Sequence, residues 1–264
     1  MADTPSEQNA PIAKEQVTRF REAYVEAKGS SQPPRALIVG ATGEVGQKVL
    51  YELLVSEAFD QVTSLGRHNV TYEGPHADKL VQRIIDFEQL EGDAYKEDIE
   101  GHTHGFCCLG TTRAKAGKEG FYKVDHDYVV AFARQFYKVN QGDVRPLHFS
   151  LVSSMGADAS SQFLYTKTKG EAEQALRGIG FTRLAIFQPG MLLCDRKESR
   201  WLERAAIQSV RALSKIVSTS RLGIPTGTLG LAIVKDVLSH PVQTGQRPTT
   251  QVISNTEAVQ VASK

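Results

Sequence analysis

The stretch "RALIVGATGEVGQKVLYELL", residues 35–54, joins an apolar run to three glycines and then to a helix-like pattern. Gly40, Gly43 and Gly46 follow "ALIV" directly, and Val45, Val49 and Leu53 beyond them share one helical face. A strand, a tight turn and a helix in that order bring bare backbone and helix-terminal N–H groups to where a pyrophosphate binds. The spacing is G-x-x-G-x-x-G, not the G-x-G-x-x-G of the commonest dinucleotide fingerprint, but the physical demand is the same. The alternative is a glycine-rich turn without a ligand.

Outward from this stretch, strand-like apolar runs alternate with helix-like ones. The strands read as "ALIVGA", "QVTSLGR", "VQRIIDF", "GFCCLG", "LHFSLVSS" and "RLAIFQPG". Continuous apolar strands separated by helices are what a parallel sheet covered on both faces requires. The expected fold is α/β: a single Rossmann-type, doubly wound parallel sheet with helices on both faces. Upstream, Val17, Phe20 and Tyr24 recur at helical spacing, and "GSSQPPR" reads as a linker. Residues 1–34 are therefore an N-terminal helix and linker. Residues 35–264 are a nucleotide-binding domain whose C-terminal part covers the substrate. The tail is less regular, with one more strand and a helix.

A chain of 264 residues suits one such domain. A formal charge of +1 gives no reason to expect nucleic acid or a membrane surface as partner. Cys107, Cys108 and Cys194 show neither a disulfide framework nor metal spacing, which fits a reducing compartment such as the cytoplasm. No apolar run approaches the roughly 20 residues that span a bilayer. Asp3, Glu7 and Glu15 argue against a transit peptide, and no signal-peptide core precedes them.

An acid roughly 20 residues past the glycines would favour NAD. Here "TSLGRHN" supplies Arg67, with His68 beside it and no carboxylate. A guanidinium offers paired donors to a 2′-phosphate, so the expected cofactor is NADP(H). The bland alternative is a solvated surface arginine. Asp86 in "IIDF" stands where an acid could bond the adenine amino group or cap the following turn.

"SLVSSMGADASSQFLYTKTKGEAEQAL" carries the strongest chemical signal. Tyr165 and Lys169 are four apart in a helical stretch, so both lie on one face. A cation beside a phenol favours its ionised form and fits Tyr165 for general acid/base work on a carbonyl–alcohol pair. Ser153 and Ser154 end an apolar strand, where a hydroxyl could steady the substrate oxygen. The alternative for Tyr-x-x-x-Lys alone is an exposed helix face.

The ordered set of glycine turn, strand-end serine, tyrosine and lysine resembles the short-chain dehydrogenase/reductase superfamily. "FCCLGTTRAKAGKEGFYKVDHDYV", "SSMGADASSQFLYTKTKGEAE" and "QPGMLLCDRKESR" resemble an atypical branch, the Tat-interacting, CC3-type oxidoreductase family, over roughly residues 35–200. The resemblance implies that Gly43, Glu44 and Val45 line the phosphate loop and that Arg67 meets the NADPH phosphate. It implies that Leu109 and Gly110 border the cofactor and that Arg200 lies near the cofactor or substrate mouth. Ser154, Tyr165 and Lys169 would be catalytic, Lys169 also holding the nicotinamide ribose, with Ser153 the next choice of serine. It further implies protein partners, and for related fungal proteins an association with mitochondria.

Two departures stand out: Met155 where the family often has a basic residue, and Gln188 where it often has arginine. They put substrate type in doubt. The basic "RAKAGK" (Arg113, Lys115, Lys118) reads as a solvated loop or an approach to a cofactor phosphate, and His104 and His126 as structural or solvated. Two functions compete: an NADPH-dependent oxidoreductase acting on a small carbonyl or alcohol, and an NADPH-binding regulator or assembly subunit with little turnover.

Overall fold

The computed structural model describes residues 10–26, 33–141, 146–194, 223–242 and 245–264. The six expected strands form, as β1 (Arg35–Val39), β2 (Gln61–Gly66), β3 (Leu80–Ile84), β4 (His104–Cys107), β5 (His148–Val152) and β6 (Arg183–Gln188). The tail adds a seventh, numbered β9 (Thr249–Ser254) because a separate two-stranded ladder of β7 (Met191–Leu193) and β8 (Gly223–Pro225) precedes it. The large sheet runs β3–β2–β1–β4–β5–β6–β9, every neighbouring pair parallel.

The order reverses between β1 and β4, so the crevice of this sheet opens at their carboxyl ends. Both faces of β1 are buried. Ala36 and Ile38 join one core while Leu37 and Val39 join the other, and all four are fully buried. That is why the strand reads as an unbroken apolar run.

The first core packs α1 (Lys14–Glu26), α2 (Glu44–Val55), α7 (Thr226–Ser239) and α8 (Asn255–Ser263) on the sheet. The second packs α3 (Lys96–Ile99), α5 (Tyr128–Asn140) and α6 (Leu164–Arg177) on the other side. The N-terminal helix is docked rather than detached: Phe20 and Tyr24 are buried, and Gln16 Nε2 donates to the Lys235 carbonyl at 3.2 Å.

Helix α7 was not expected. "TGTLGLAIVKDVLS" is buried from Thr226 to Leu238 except at Gly227, so it shows no polar stripe for periodicity to detect. A Cβ on Gly230 would lie 2.8 Å from Lys48 Cβ and 2.9 Å from its carbonyl carbon, so α7 crosses α2 at backbone contact. Arg183 ties β6 to α7 through a bidentate pair with Asp236 at 2.6 and 2.9 Å, and to β9 through Gln251 at 2.8 Å.

"RAKAGK" is helical rather than a loop, in α4 (Arg113–Tyr122), though interrupted at Gly117 with φ +70°. Its three cations are exposed, as a solvated cluster should be. His104 is structural: it is buried, stacks on His148 and meets Phe20 and Phe59 edge-on.

Candidate active site

Three glycines leave β1, and each has a different reason. Gly40 has φ +80°, and a Cβ there would lie 2.5 Å from the carbonyl carbon and oxygen of Cys108. A Cβ on Gly46 would lie 2.1 Å from the Gly40 oxygen, so glycine alone lets α2 start against the turn. Gly43 is the N-cap of α2, with φ −82° and ψ 166°, a conformation open to any residue. A Cβ on it would meet only the Gly40 oxygen, at 3.3 Å. The fold needs glycine at 40 and 46; the bare, exposed backbone at 43 leaves a cradle that a side chain would fill.

Gly43, the N-cap, has no side chain with which to cap this N-terminus, and helix geometry leaves the first N–H groups without intrahelical acceptors. That donor set fits a dinucleotide pyrophosphate. Glu44 and Val45 would contribute through their backbone, since the Val45 side chain is buried in the core.

The registers Val39↔Leu65, Val39↔Cys107 and Gly66↔Ile84 bring the next residues of four strands to one edge. Arg67 and His68 follow β2 directly, both exposed, and Arg67 has no carboxylate partner among the described residues. A cleft of about 620 Å³ beside this segment lies between α2 and residues 69–74, lined by Thr42, Lys48, Tyr51 and Tyr72 among others and by neither Arg67 nor His68. Asp86 caps the short helical turn after β3, accepting from Glu88 N–H at 3.0 Å. That is the capping role weighed from the sequence, and the carboxylate remains exposed. Leu109 and Gly110 follow β4 at the switch point. Arg200 lies outside the described residues.

On the opposite wall, β5 ends at Val152, and the paired serines diverge. Ser153 is buried and its hydroxyl donates to Glu173 Oε1 at 2.5 Å. Ser154 is half-buried, its hydroxyl engaged only weakly with the Met155 carbonyl at 3.3 Å. Helix α6 presents Tyr165 half-exposed, its ring stacked on Phe121 with centroids 5.7 Å apart. The Tyr165 hydroxyl makes no hydrogen bond among the described residues.

Lys169 is buried, and its Nζ lies 2.8 Å from Asp125 Oδ1, so its ion pair is with a carboxylate rather than with the phenol. The other oxygen of Asp125 accepts from the Thr111 N–H at 2.8 Å. A Cβ on Gly110 would lie 3.5 Å from Asp125 Oδ1 and 3.8 Å from Lys169 Nζ. Asp125 thus joins the turn after β4 to the lysine of α6.

Asp125 sits in a π-helical turn, Lys123–Asp127, between α4 and α5. Sequence reasoning passed it over, although a signal was present. Phe121, Asp125 and Val129 share the i, i+4, i+8 spacing of a buried stripe, with an acid in the middle of it.

Gln188 has a structural explanation. Its amide donates to both oxygens of Glu173, at 2.9 and 3.1 Å, and Arg177 pairs with the same carboxylate at 3.1 Å. Gln188 and Arg177 thus share the Glu173 carboxylate. Met155 stands exposed. The adjacent thiols of Cys107 and Cys108 are unsuited to nucleophilic work: burial pushes Cys107 up to about 12 and Cys108 higher still.

The parallel sheet and its topology define a Rossmann-type protein. Its fold matches a short-chain type dehydrogenase/reductase from Mycobacterium ulcerans at TM-score 0.61 and 13% identity, covering 87% of this chain and 91% of that one. It also matches MoeE5, solved in complex with UDP-glucose and NAD, at TM-score 0.58 and 12% identity, covering 83% and 75%. No protein-family model matches the chain.

Sequence identity is higher to several relatives. Protein HTATIP2 of Rattus norvegicus is 44% identical over 194 residues, 72% of this chain and 75% of the relative. Mitochondrial protein fmp52 of Emericella nidulans is 31% identical over 188 residues, 70% and 78%. The chain belongs to the HTATIP2-type, Tat-interacting family, and it shares the fold of short-chain dehydrogenase/reductases. No helix among the described residues is long and apolar enough to cross a membrane.

Proposed function

We propose that this protein is an NADP(H)-dependent oxidoreductase that interconverts a carbonyl and an alcohol. The observation that carries it is convergence. The glycine turn, Arg67, Ser154, Tyr165 and Lys169 stand at the carboxyl edge of one parallel sheet, around its switch point. The nicotinamide dinucleotide, when bound, supplies or takes up a hydride.

The protein's own residues do the rest. Tyr165 hands its phenolic proton to the substrate oxygen, and Ser154 donates a hydrogen bond to that oxygen as charge gathers on it. Lys169 keeps two of its three donors for the ribose and the phenol while the third holds Asp125. Asp125 positions both Lys169 and the turn at Gly110 and Thr111. Arg67 meets the 2′-phosphate and so favours NADPH over NADH.

The test follows NADPH absorbance across a carbonyl panel. Tyr165→Phe is expected to keep cofactor binding and lose roughly two or more orders of magnitude in turnover. Unchanged turnover in that variant refutes the reading.

A second reading, an NADPH-binding regulator with little turnover, draws on the Lys169–Asp125 pair, which engages the ammonium with a carboxylate. It predicts that Tyr165→Phe rescues a null strain while a variant blocked at Gly43 does not. The expected location is the cytoplasm, and the name of the fungal relative supports association with mitochondria as the alternative.

A further inference from the structure

Tyr165, Lys169 and Glu173 recur at every fourth residue of α6, so they share one stripe of the helix. Tyr165 and Lys169 belong to the proposed chemistry. Glu173, buried one turn further on, stands outside it.

Three donors converge on the Glu173 carboxylate. The Ser153 hydroxyl donates to Oε1 at 2.5 Å, the Gln188 amide to both oxygens at 2.9 and 3.1 Å, and Arg177 to Oε2 at 3.1 Å. Ser153 follows β5 directly and Gln188 ends β6, so one side chain of α6 holds the ends of two adjoining strands. A carboxylate suits the place because both its oxygens accept and it brings no donor of its own.

Ser154 lies between two tethers to α6. One is the Ser153–Glu173 bond. At the other, Asp158 N–H donates to the Thr166 carbonyl at 2.9 Å, and a Cβ on Gly170 would lie 2.2 Å from Ala159 N. The flanking backbone is also tied to β6 and the turn beyond it. Ser153 N–H donates to the Phe187 carbonyl and Met155 N–H to that of Pro189, both at 2.8 Å. A hydroxyl has one proton to donate, and that of Ser153 is directed at Glu173. Of the paired serines, Ser154 is therefore the one placed to donate to a substrate oxygen.

We propose that Glu173 is a positioning residue, which fixes the segment carrying the Ser154 hydroxyl against the helix carrying Tyr165 and Lys169. The proposal rests on the oxidoreductase reading, in which Glu173 touches neither substrate nor cofactor. Without its bonds the end of β5 can shift against α6, and a misplacement of about 1 Å in a reacting group costs roughly a hundredfold in turnover.

The experiment uses the full chain with NADPH and the carbonyl panel. Glu173→Gln sets an amide against the donors of Gln188 and Arg177, and Gln188→Glu sets two carboxylates side by side. The double variant E173Q/Q188E reverses the pair, restores a bond between α6 and β6, and leaves Ser153 an acceptor. Turnover is counted per NADPH-binding site, which removes any unfolded fraction from the comparison. Each single variant should bind NADPH with near-native affinity and lose about ten- to a hundredfold in kcat at little-changed KM. The double variant should regain most of that loss, as coupled neighbours do. Ser153→Ala removes one hydroxyl and serves where a single charge variant fails to fold; its kcat should fall about tenfold. Hydrogen exchange gives a readout apart from turnover: the Ser153 and Met155 amides should exchange faster in Ser153→Ala and Glu173→Gln.

Native kcat per binding site in Glu173→Gln and Ser153→Ala, or native exchange at Ser153 and Met155, overturns this inference and leaves the oxidoreductase reading standing. A double variant that regains folding and NADPH binding but not kcat overturns it as well, since Glu173 would then serve the fold alone. Absence of carbonyl-dependent oxidation by a native protein that binds NADPH overturns both.

Discussion

Replacing Gly43 with valine separates a ligand cradle from a mere turn. The backbone at Gly43, φ −82° and ψ 166°, is one that valine adopts readily. The new Cβ would meet protein only at the Gly40 oxygen, 3.3 Å away, a contact that a few tenths of an ångström relieves. Valine is also a poorer N-cap than glycine, at a cost of about 1 kcal/mol. The melting temperature should therefore fall by only about 2–4 °C. On the proposed reading, however, the isopropyl group would occupy the space through which a pyrophosphate reaches the first turn of α2. Losing two charge-assisted hydrogen bonds, each worth roughly 1.5–3 kcal/mol, weakens NADPH binding by about two to four orders of magnitude. Gly46→Val is the contrasting variant. Its Cβ would overlap the Gly40 oxygen at 2.1 Å, so it should fail to fold or melt far lower. Calorimetric titration with NADPH, beside a thermal melt, reads both quantities. A folded Gly43→Val protein with native affinity would refute the assignment of this turn to a cofactor.

Arg67→Ala should remove most of the preference for NADPH over NADH, roughly ten- to a hundredfold; equal affinities in the native protein would sink the 2′-phosphate assignment. Asp125→Ala leaves the Lys169 ammonium buried without its partner and the Thr111 N–H without its acceptor. A loss of about 3–5 kcal/mol in urea unfolding is expected, and native stability would show that the pair does not hold this region. His102 is buried, its Nδ1–H donating to the Ile99 carbonyl at 3.0 Å and its Nε2 accepting from the Thr63 hydroxyl at 2.8 Å. Burial lowers it from 6.5 to about 4, so the unfolded chain binds the proton first as pH falls. Stability from this group is complete above pH 6.5 and is lost between there and about pH 4, roughly 3 kcal/mol in all. His102→Gln should flatten the decline in unfolding free energy over that window; an unchanged slope would contradict the assignment.

The parallel sheet, the glycine turn and the Tyr–Lys face were legible in the sequence because each is local. A strand buried on both faces must be apolar throughout, as at Ala36–Val39, and a helical face repeats within four residues, as at Tyr165 and Lys169. Much of the site was not local. That Ser153 bonds Glu173 while Ser154 stays half-exposed depends on how β5 meets α6. The pairing of Lys169 with Asp125 spans 44 residues and exists only because α6 packs beside the π-helical turn after α4. That Gln188 and Arg177 serve one carboxylate, Glu173, depends on how β6 packs against α6. Helix α7, apolar nearly all round, carries no periodic signal, since burial on every side erases the contrast that periodicity measures. Residue type and spacing along the chain determined which backbone could form and which groups could react. Which buried charge meets which counter-charge depended on the relative placement of elements, because a desolvated ion needs its partner within a few ångströms whatever their separation in sequence.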